Sequence, residues 1–331
     1  SNITARYNVD TDGFQYCKFW NQITPENESK WGSVEGNRGS FNWGGADNCA
    51  NYAKKHNFPF KFHAIIWGAQ HPGWFNSSLS IAERKKAIIN WMDNMKKHYP
   101  TLDLIDVANE CVAGHQPDTY LFEEALGGGG ETGWDWLIYA FKEAHKRWPE
   151  AILIYNDFNT FQWNTDQYIS LVTALRDGGA PIDAYGCQSH DLTDCSKSNF
   201  TSACTKIQNA LKMPMYISEY DIGTSDDALQ LQRYKEQIPY MWEADYCAGI
   251  TLWGWIYGAT WTTDGNSGIV KNGKDRPAMT WLKEYMASDK AKTAKSPYPG
   301  MKKPISFYIQ PEKYKPSINE ETTIKIEATM H

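Results

Sequence analysis

The feature that most constrains this chain is a repeating order: short runs rich in β-branched and aromatic residues, separated by longer amphipathic segments, from about residue 15 to residue 288. The runs are FWNQIT, FKFHAIIW, LIDVANE, ILIYNDF, AYGCQSH, MYISEYDI and AGITLWGW. They are apolar nearly throughout rather than alternating, which is the pattern of strands buried on both faces of a parallel sheet. The opening NITARY adds an eighth, shorter candidate. Eight strands with helices between most neighbours predict an α/β fold, a (β/α)8 TIM barrel over residues 1–288, in preference to a doubly wound sheet. A dinucleotide fold also fails because no strand is followed by GxGxxG, and the GGGG at 127–130 lacks that spacing.

The intervening segments carry helix signals. Ser80 followed by Glu83 has capping-box spacing, and Ile81, Ile88, Met92, Met95 and Tyr99 then recur along one face, with Lys85, Lys86, Asp93 and Lys96 opposite. A second helix, around Trp134 to Trp148, groups Trp134, Leu137, Ile138, Phe141 and His145 and stops before Pro149. A third runs from Asp166 to Arg176 and ends at Gly178 and Gly179.

After about Ser288 the composition changes. Residues 289–304, rich in Lys, Pro and Gly, read as a linker or surface-hugging tail. Residues 305–331 hold two alternating runs, too short for a stable domain, so a strand pair or a truncated second module is expected there.

Composition narrows the function. The net charge of -6 with no dense Lys/Arg tract gives no reason to expect a nucleic-acid partner. No run is long and apolar enough for a membrane span, so no membrane partner is expected. The opening SNITARYNVD lacks the apolar core of a signal peptide, so a mature or trimmed form is expected. Fifteen Trp and 19 Tyr supply flat apolar platforms, which suit sugar rings as well as cores. Seven cysteines show no CxxC and no zinc-type spacing, so no metal is expected through them. Cys195 and Cys204 flank the polar CSKSNFTSAC, read as a loop, and could pair in an oxidising compartment.

In a parallel barrel, catalytic side chains sit where strands end. The strand ends here present Glu26, Asn27 and Lys30; His63, Trp67 and Gln70; Asn109 and Glu110; Asn156, Asp157 and Asn159; Gln188 and His190; Glu219 and Asp221; and Trp253 and Trp261. One strand-end Glu is more often a capping or ion-paired residue. Two of them, Glu110 and Glu219, amid amides, histidines and tryptophans match the needs of glycosidic cleavage: an acid to protonate the leaving oxygen, and a base or nucleophile on the other face of the ring.

In order along the chain stand TPENESKW, FHAIIWGAQHPGW, DVANE, YNDFN, QSH, SEYDI and LWGW, with Trp261 beyond. Over roughly residues 1 to 288 this series resembles the glycoside hydrolase family 10 endo-β-1,4-xylanases. The resemblance implies a secreted, retaining enzyme acting on xylan or xylo-oligosaccharides, with no cofactor and as a monomer. It implies Glu110 as general acid/base and Glu219 as nucleophile, with the carboxylates about 5 to 5.5 Å apart. His190 would bond Glu219 and be held by Asp221, Asn109 would meet the sugar 2-hydroxyl, and Gln188 would position the acid/base. Glu26, Asn27, Lys30, His63 and Gln70 would bind hydroxyls on the non-reducing side, with Trp67, Trp253 and Trp261 walling the ring. Core packing is the competing reading for each tryptophan.

The chain departs from the family pattern at Gly68, where His is common and where its absence is expected to open space, and at Phe158, where Tyr is usual. Asn-x-Ser/Thr occurs at Asn2, Asn27, Asn76 and Asn199; a glycan on Asn27 would sit in the proposed cleft, so a host that does not glycosylate there is expected, consistent with a bacterial secreted enzyme. The competing functions are a β-1,4-glucanase or cellulase on the same barrel and a non-catalytic polysaccharide-binding barrel.

Overall fold

The computed structural model describes residues 15–298, together with the backbone of two short strands, 307–311 and 324–328. Six strands, β1 (Lys61–Trp67), β2 (Leu104–Asn109), β3 (Ile152–Asp157), β4 (Ala184–Cys187), β5 (Met215–Tyr220) and β6 (Cys247–Leu252), pair in parallel in sequence order. Nearly every residue in them is buried, as the unbroken apolar runs predicted. Before them come α1 (Trp31–Val34) and α2 (Gly44–Lys55). The connections hold α3 (Ile81–His98), α4 (Thr119–Leu126), α5 (Asp135–Arg147), α6 (Thr165–Asp177), α7 (Lys197–Leu211) and α8 (Asp227–Glu243). After β6 follow a hairpin of β7 (Val270–Lys271) and β8 (Lys274–Asp275), then α9 (Pro277–Ala287) and α10 (Asp289–Thr293).

Of the two strands expected before β1, NITARY lies outside the described residues. FWNQIT contracts to a single parallel bridge, Ile23 to Phe60, with Ile23 N donating to Pro59 O and Lys61 N to Ile23 O. Pro25, which has no N–H to continue a ladder, ends it there. Ile23 therefore extends the parallel order beyond β1.

The capping box at α3 forms as expected, Glu83 N donating to Ser80 Oγ and Ser80 N to Glu83 Oε2. Ile88, Met92 and Met95 are buried, but Ile81 is 52% exposed. It is the first helical residue, and its side chain leans back off the core toward the N-terminus. The helix expected over 166–176 is α6, closed by Gly178 and by Gly179 at φ +79°. The polar stretch between Cys195 and Cys204 is not a loop: Ser196 caps α7, Cys204 lies inside that helix, and all seven cysteines are free thiols. A helical rise of ~1.5 Å per residue over this stretch holds the two sulfurs too far apart to bond.

Most tryptophans are core. Trp91 stacks between Trp31 and Trp43, with ring centroids 5.8 and 5.5 Å away, while Trp136, Trp148 and Trp255 are fully buried. A separate apolar cluster fills the space enclosed by the strands: Leu104, Ile152, Ile154, Ala184, Tyr216 and Ala248, closed by Tyr298. Tyr298 stacks on Tyr216 and donates to Asp183 O, so the segment expected as a linker or surface-hugging tail packs onto the strand layer as far as it is described. Farther on, β9 (Phe307–Pro311) and β10 (Ile324–Ala328) form an antiparallel pair. Among the described residues no helix is long and apolar enough to cross a membrane.

Candidate active site

Irregularities in the strands aim the polar side chains inward. Strict alternation would send Asp106 and Asn109 of β2 to opposite faces, but the β2–β3 register slips between Asp106 and Ala108, and both turn toward the enclosed space. On β5 a slip between Ile217 and Tyr220 does the same for the adjacent Ser218 and Glu219. Ser218 Oγ donates to Asn156 Oδ1, and Asn156 Nδ2 donates to Glu219 Oε1 at 2.9 Å. Asn156 fits because its neighbour on β4 is Gly186: a Cβ there would lie 2.4 Å from Asn156 Oδ1.

Deeper on the same strands, Lys61 and His63 of β1 converge on Asp106, at 2.9 and 2.8 Å. All three are buried, so each charge must be paired. This cluster fixes His63, whose Nε2 lies 4.0 Å from Glu219 Oε1 and whose ring meets Trp253 edge-on at 5.4 Å.

Glu219 and Glu110 stand in contrasting environments. His190 donates from Nε2 to Glu219 Oε2 at 3.1 Å and from Nδ1 to Asp221 Oδ2 at 2.9 Å. Asp221 Oδ2 also accepts from Trp261 Nε1 at 2.7 Å. Burial disfavours the charge on Glu219, but the hydrogen bond from His190, with His63 and Lys61 adding to it, outweighs burial and holds the carboxyl low, at about 2. Burial likewise works against the imidazolium of His190; the charge and hydrogen bond of Asp221, then Glu219, raise it well above the usual range.

Glu110 sits just past the end of β2 with a left-handed backbone, φ +58°, and its N–H donates to Asn156 O. A non-glycine residue in that region is strained and is held there by its surroundings. Gln188 Nε2 donates to its Oε1 and Trp67 Nε1 to its Oε2, both at 2.7 Å. Burial raises this carboxyl, helped by the charges of Glu219 and Asp157 and opposed by the Gln188 and Trp67 hydrogen bonds; the net shift is upward. The two carboxyls belong to one connected network: Gln188 also reaches Asn109 Oδ1 at 3.2 Å, and Asn156 Nδ2 bridges Asn109 Oδ1 to Glu219.

The residues expected to bind sugar divide. Lys30 is buried, donates to Asn27 Oδ1 at 2.9 Å and lies 4.5 Å over the Trp67 ring. Burial lowers its pKa against the opposing pull of Glu219, Glu110, Glu26 and Glu28. Glu26 is buried beside it and Trp253 is buried, whereas Trp261 is 58% exposed and forms an open edge against His190. Gln70 stands apart: its side chain is exposed, and among the described residues only its backbone carbonyl is tied, to Gly32 N.

The two departures have structural counterparts. No space opens at Gly68: a Cβ there would meet Thr119 Oγ1 at 2.4 Å, Thr119 N at 2.6 Å and Gln116 Cβ at 2.9 Å. The loop entering α4 occupies that position, and Gln116 Nε2 donates to Glu110 Oε2. Phe158 stacks on His115 at 3.9 Å, and His115 Nδ1 donates to Asp157 Oδ1 at 2.6 Å.

Sequence reasoning assigned no role to Asn156, Gln116, Lys61 or Asp106. A charged residue inside each of two apolar strand runs was the available signal for the Lys61–Asp106 pair, because such charges require partners. Among the described residues no group of three or more His, Cys, Asp or Glu side chains is arranged to hold a metal ion.

The model of glycosyl hydrolase family 10 matches residues 7–285. The chain is 42% identical over 281 residues to endo-1,4-beta-xylanase B of Cellvibrio japonicus, an alignment covering 85% of this chain and 44% of that protein. It is 29% identical over 285 residues to endo-1,4-beta-xylanase 1 of Humicola insolens, covering 80% of this chain and 65% of the relative. The chain thus spans less than two thirds of either relative. A solved GH10 structure from Paenibacillus barcinonensis superposes with a TM-score of 0.73 at 22% identity, over 85% of this chain and 92% of that one. The fold is a (β/α)8 barrel.

Proposed function

Because the chain belongs to glycosyl hydrolase family 10, we propose that it is a retaining endo-β-1,4-xylanase in which Glu219 is the nucleophile and Glu110 the general acid/base. The observation that carries this reading is the opposed tuning of the two carboxyls: Glu219 held ionised by His190, Glu110 pushed toward its protonated form by burial and by Glu219. A pair whose environments separate its pKa values in this way is equipped for one acid and one nucleophilic role. The names of the relatives support xylan as the substrate.

In the first step Glu219 attacks the anomeric carbon while Glu110 gives its proton to the departing glycosidic oxygen, leaving a covalent glycosyl-enzyme. In the second, Glu110, now ionised, takes a proton from water, which displaces Glu219 with net retention. Asn109, held by Asn156 and Gln188, is poised for the sugar 2-hydroxyl. Lys30, Asn27, Glu26, His63 and Trp67 are assigned to the non-reducing side, with Trp253 beneath and Trp261 at the edge.

The test is reducing-end release from xylan and from carboxymethylcellulose in parallel, with the anomeric configuration of the first product followed by NMR. Release from xylan with retention is expected. Preferential release from carboxymethylcellulose would make it a glucanase, and binding without release a sugar-binding barrel. We further propose that the enzyme is secreted, since a polymeric xylan is met outside the cell, and that it acts as a monomer, since the network is complete within one chain. Immunoblots of medium against cells and light scattering of the eluted protein test these two points.

A further inference from the structure

We propose that Gln116 is a positioning residue for proton transfer: together with Trp67 it fills both acceptor sites of Glu110 Oε2, so that the transferable proton resides on Oε1. The inference rests on Glu110 being the acid/base. A carboxylate oxygen offers two lone-pair sites. On Oε2 one is taken by the indole N–H of Trp67, a group that can only donate, and the other by the amide of Gln116. Among the described residues only Gln188 reaches Oε1, which keeps one site for a proton.

The glycine at position 68 is what lets Gln116 arrive. Asp118 N donates to Gly68 O, and Gln116 Cβ and Thr119 press into the space that any side chain at 68 would claim. The same loop is pinned from the other side by His71 Nε2 to Asp118 Oδ2 at 3.2 Å, and by His115, which bonds Asp157 and stacks on Phe158. Gln116 is therefore delivered by a segment anchored on two strand ends rather than by a free loop.

The charged and titratable groups that face Glu110 are Glu219 from β5, Asp157 from β3, Cys111 and His115 from its own loop and Lys30 from the segment before α1. None of them is changed by replacing Gln116, so a shift in the titration of Glu110 reports on the lost amide. The sign follows from the chemistry. The amide favours the ionised acceptor, so its loss raises the pKa of Glu110, and the acid form persists to higher pH.

The experiment compares pH profiles of kcat/KM on xylohexaose for the parent, Gln116→Met and Gln116→Asn. Met retains the bulk against Gly68 without a donor, and Asn retains the amide but withdraws it by one methylene. The basic limb is expected to move up by ~0.5–1 pH unit in both. The kcat is expected to fall roughly 5–20-fold as the carboxyl loses its orientation, while KM changes less than about twofold. Thermal melting confirms that each variant is folded, and either variant alone suffices. A basic limb that stays in place or moves down in a folded variant overturns the proposal. Glu110→Gln measured alongside separates the two levels: if it stays fully active, the assignment of Glu110 itself has failed, whereas an inactive Glu110→Gln with an unmoved Gln116→Met limb refutes only the role of Gln116.

Discussion

Replacing Asp221 by Asn changes one charge and almost no volume, at the point where the nucleophile's environment is set. Asp221 Oδ2 accepts from His190 Nδ1 at 2.9 Å and from Trp261 Nε1 at 2.7 Å. A hydrogen bond to a charged partner contributes about 1.5–3 kcal/mol and a neutral one about 0.5–1.5, so the exchange removes on the order of 1–2 kcal/mol of support for the imidazolium. At 1.36 kcal/mol per unit, the His190 pKa drops by about one unit. His190 starts at about 10, so it stays protonated through the range where Glu219 titrates, and the loss of the neighbouring Asp221 charge favours the ionised nucleophile, so the Glu219 pKa does not climb. The acidic limb of kcat/KM reports the ionisation of the nucleophile in the free enzyme. That limb therefore stays in place or moves down, while kcat/KM at the optimum falls roughly 10-fold as His190 loses the charged acceptor that orients it against the nucleophile. The assay is initial rate against pH on a soluble xylo-oligosaccharide, with melting curves to show that the fold is intact. An acidic limb moved to higher pH, or a kcat/KM indistinguishable from the parent, would refute the claim that Asp221 acts by orienting a protonated His190 against Glu219.

Glu110→Gln should lower xylan hydrolysis by ~10²–10⁴-fold while sparing the first step on aryl xylobiosides whose leaving groups need no proton; stopped-flow release of the phenol checks this. Gly186→Ala places a Cβ 2.4 Å from Asn156 Oδ1 and should cost about 1–3 kcal/mol of stability, with lower kcat, read by denaturant unfolding and steady-state kinetics. Arg276, buried, donates to Asp227 Oδ1 and to the carbonyls of Asn266, Gly268 and Thr224, tying down the loop that carries Trp261. Arg276→Ala leaves buried carbonyls unpaired and should destabilise by roughly 2–4 kcal/mol, seen as an earlier thermal transition.

The parallel strands were readable because both of their faces are buried, so β1 to β6 stand out as unbroken apolar runs in the sequence. FWNQIT carried the same composition and failed as a strand because Pro25 follows it, a one-residue effect that outweighs the propensity of the run. Glu110, Glu219, His190 and Asp221 were legible because each is a polar residue at the end of an apolar run. Asn156 was visible in the same way but its role was not, since that depends on the register slip on β5 and on the missing Cβ of Gly186. Gln116 carries no pattern at all. It reaches Glu110 only because an irregular loop folds over Gly68, and the expectation of open space there went wrong for the same reason: a vacancy in one motif can be filled from any segment that the fold brings past it.

The measurement that bears most directly on the account is trapping the intermediate with a 2-deoxy-2-fluoro-xylobioside bearing an activated leaving group, followed by peptide mass spectrometry. Time-dependent inactivation with one fluoroxylobiosyl group on Glu219 is the predicted result. A label on Glu110 or another side chain, or turnover of xylan with inversion and no covalent adduct, would contradict it.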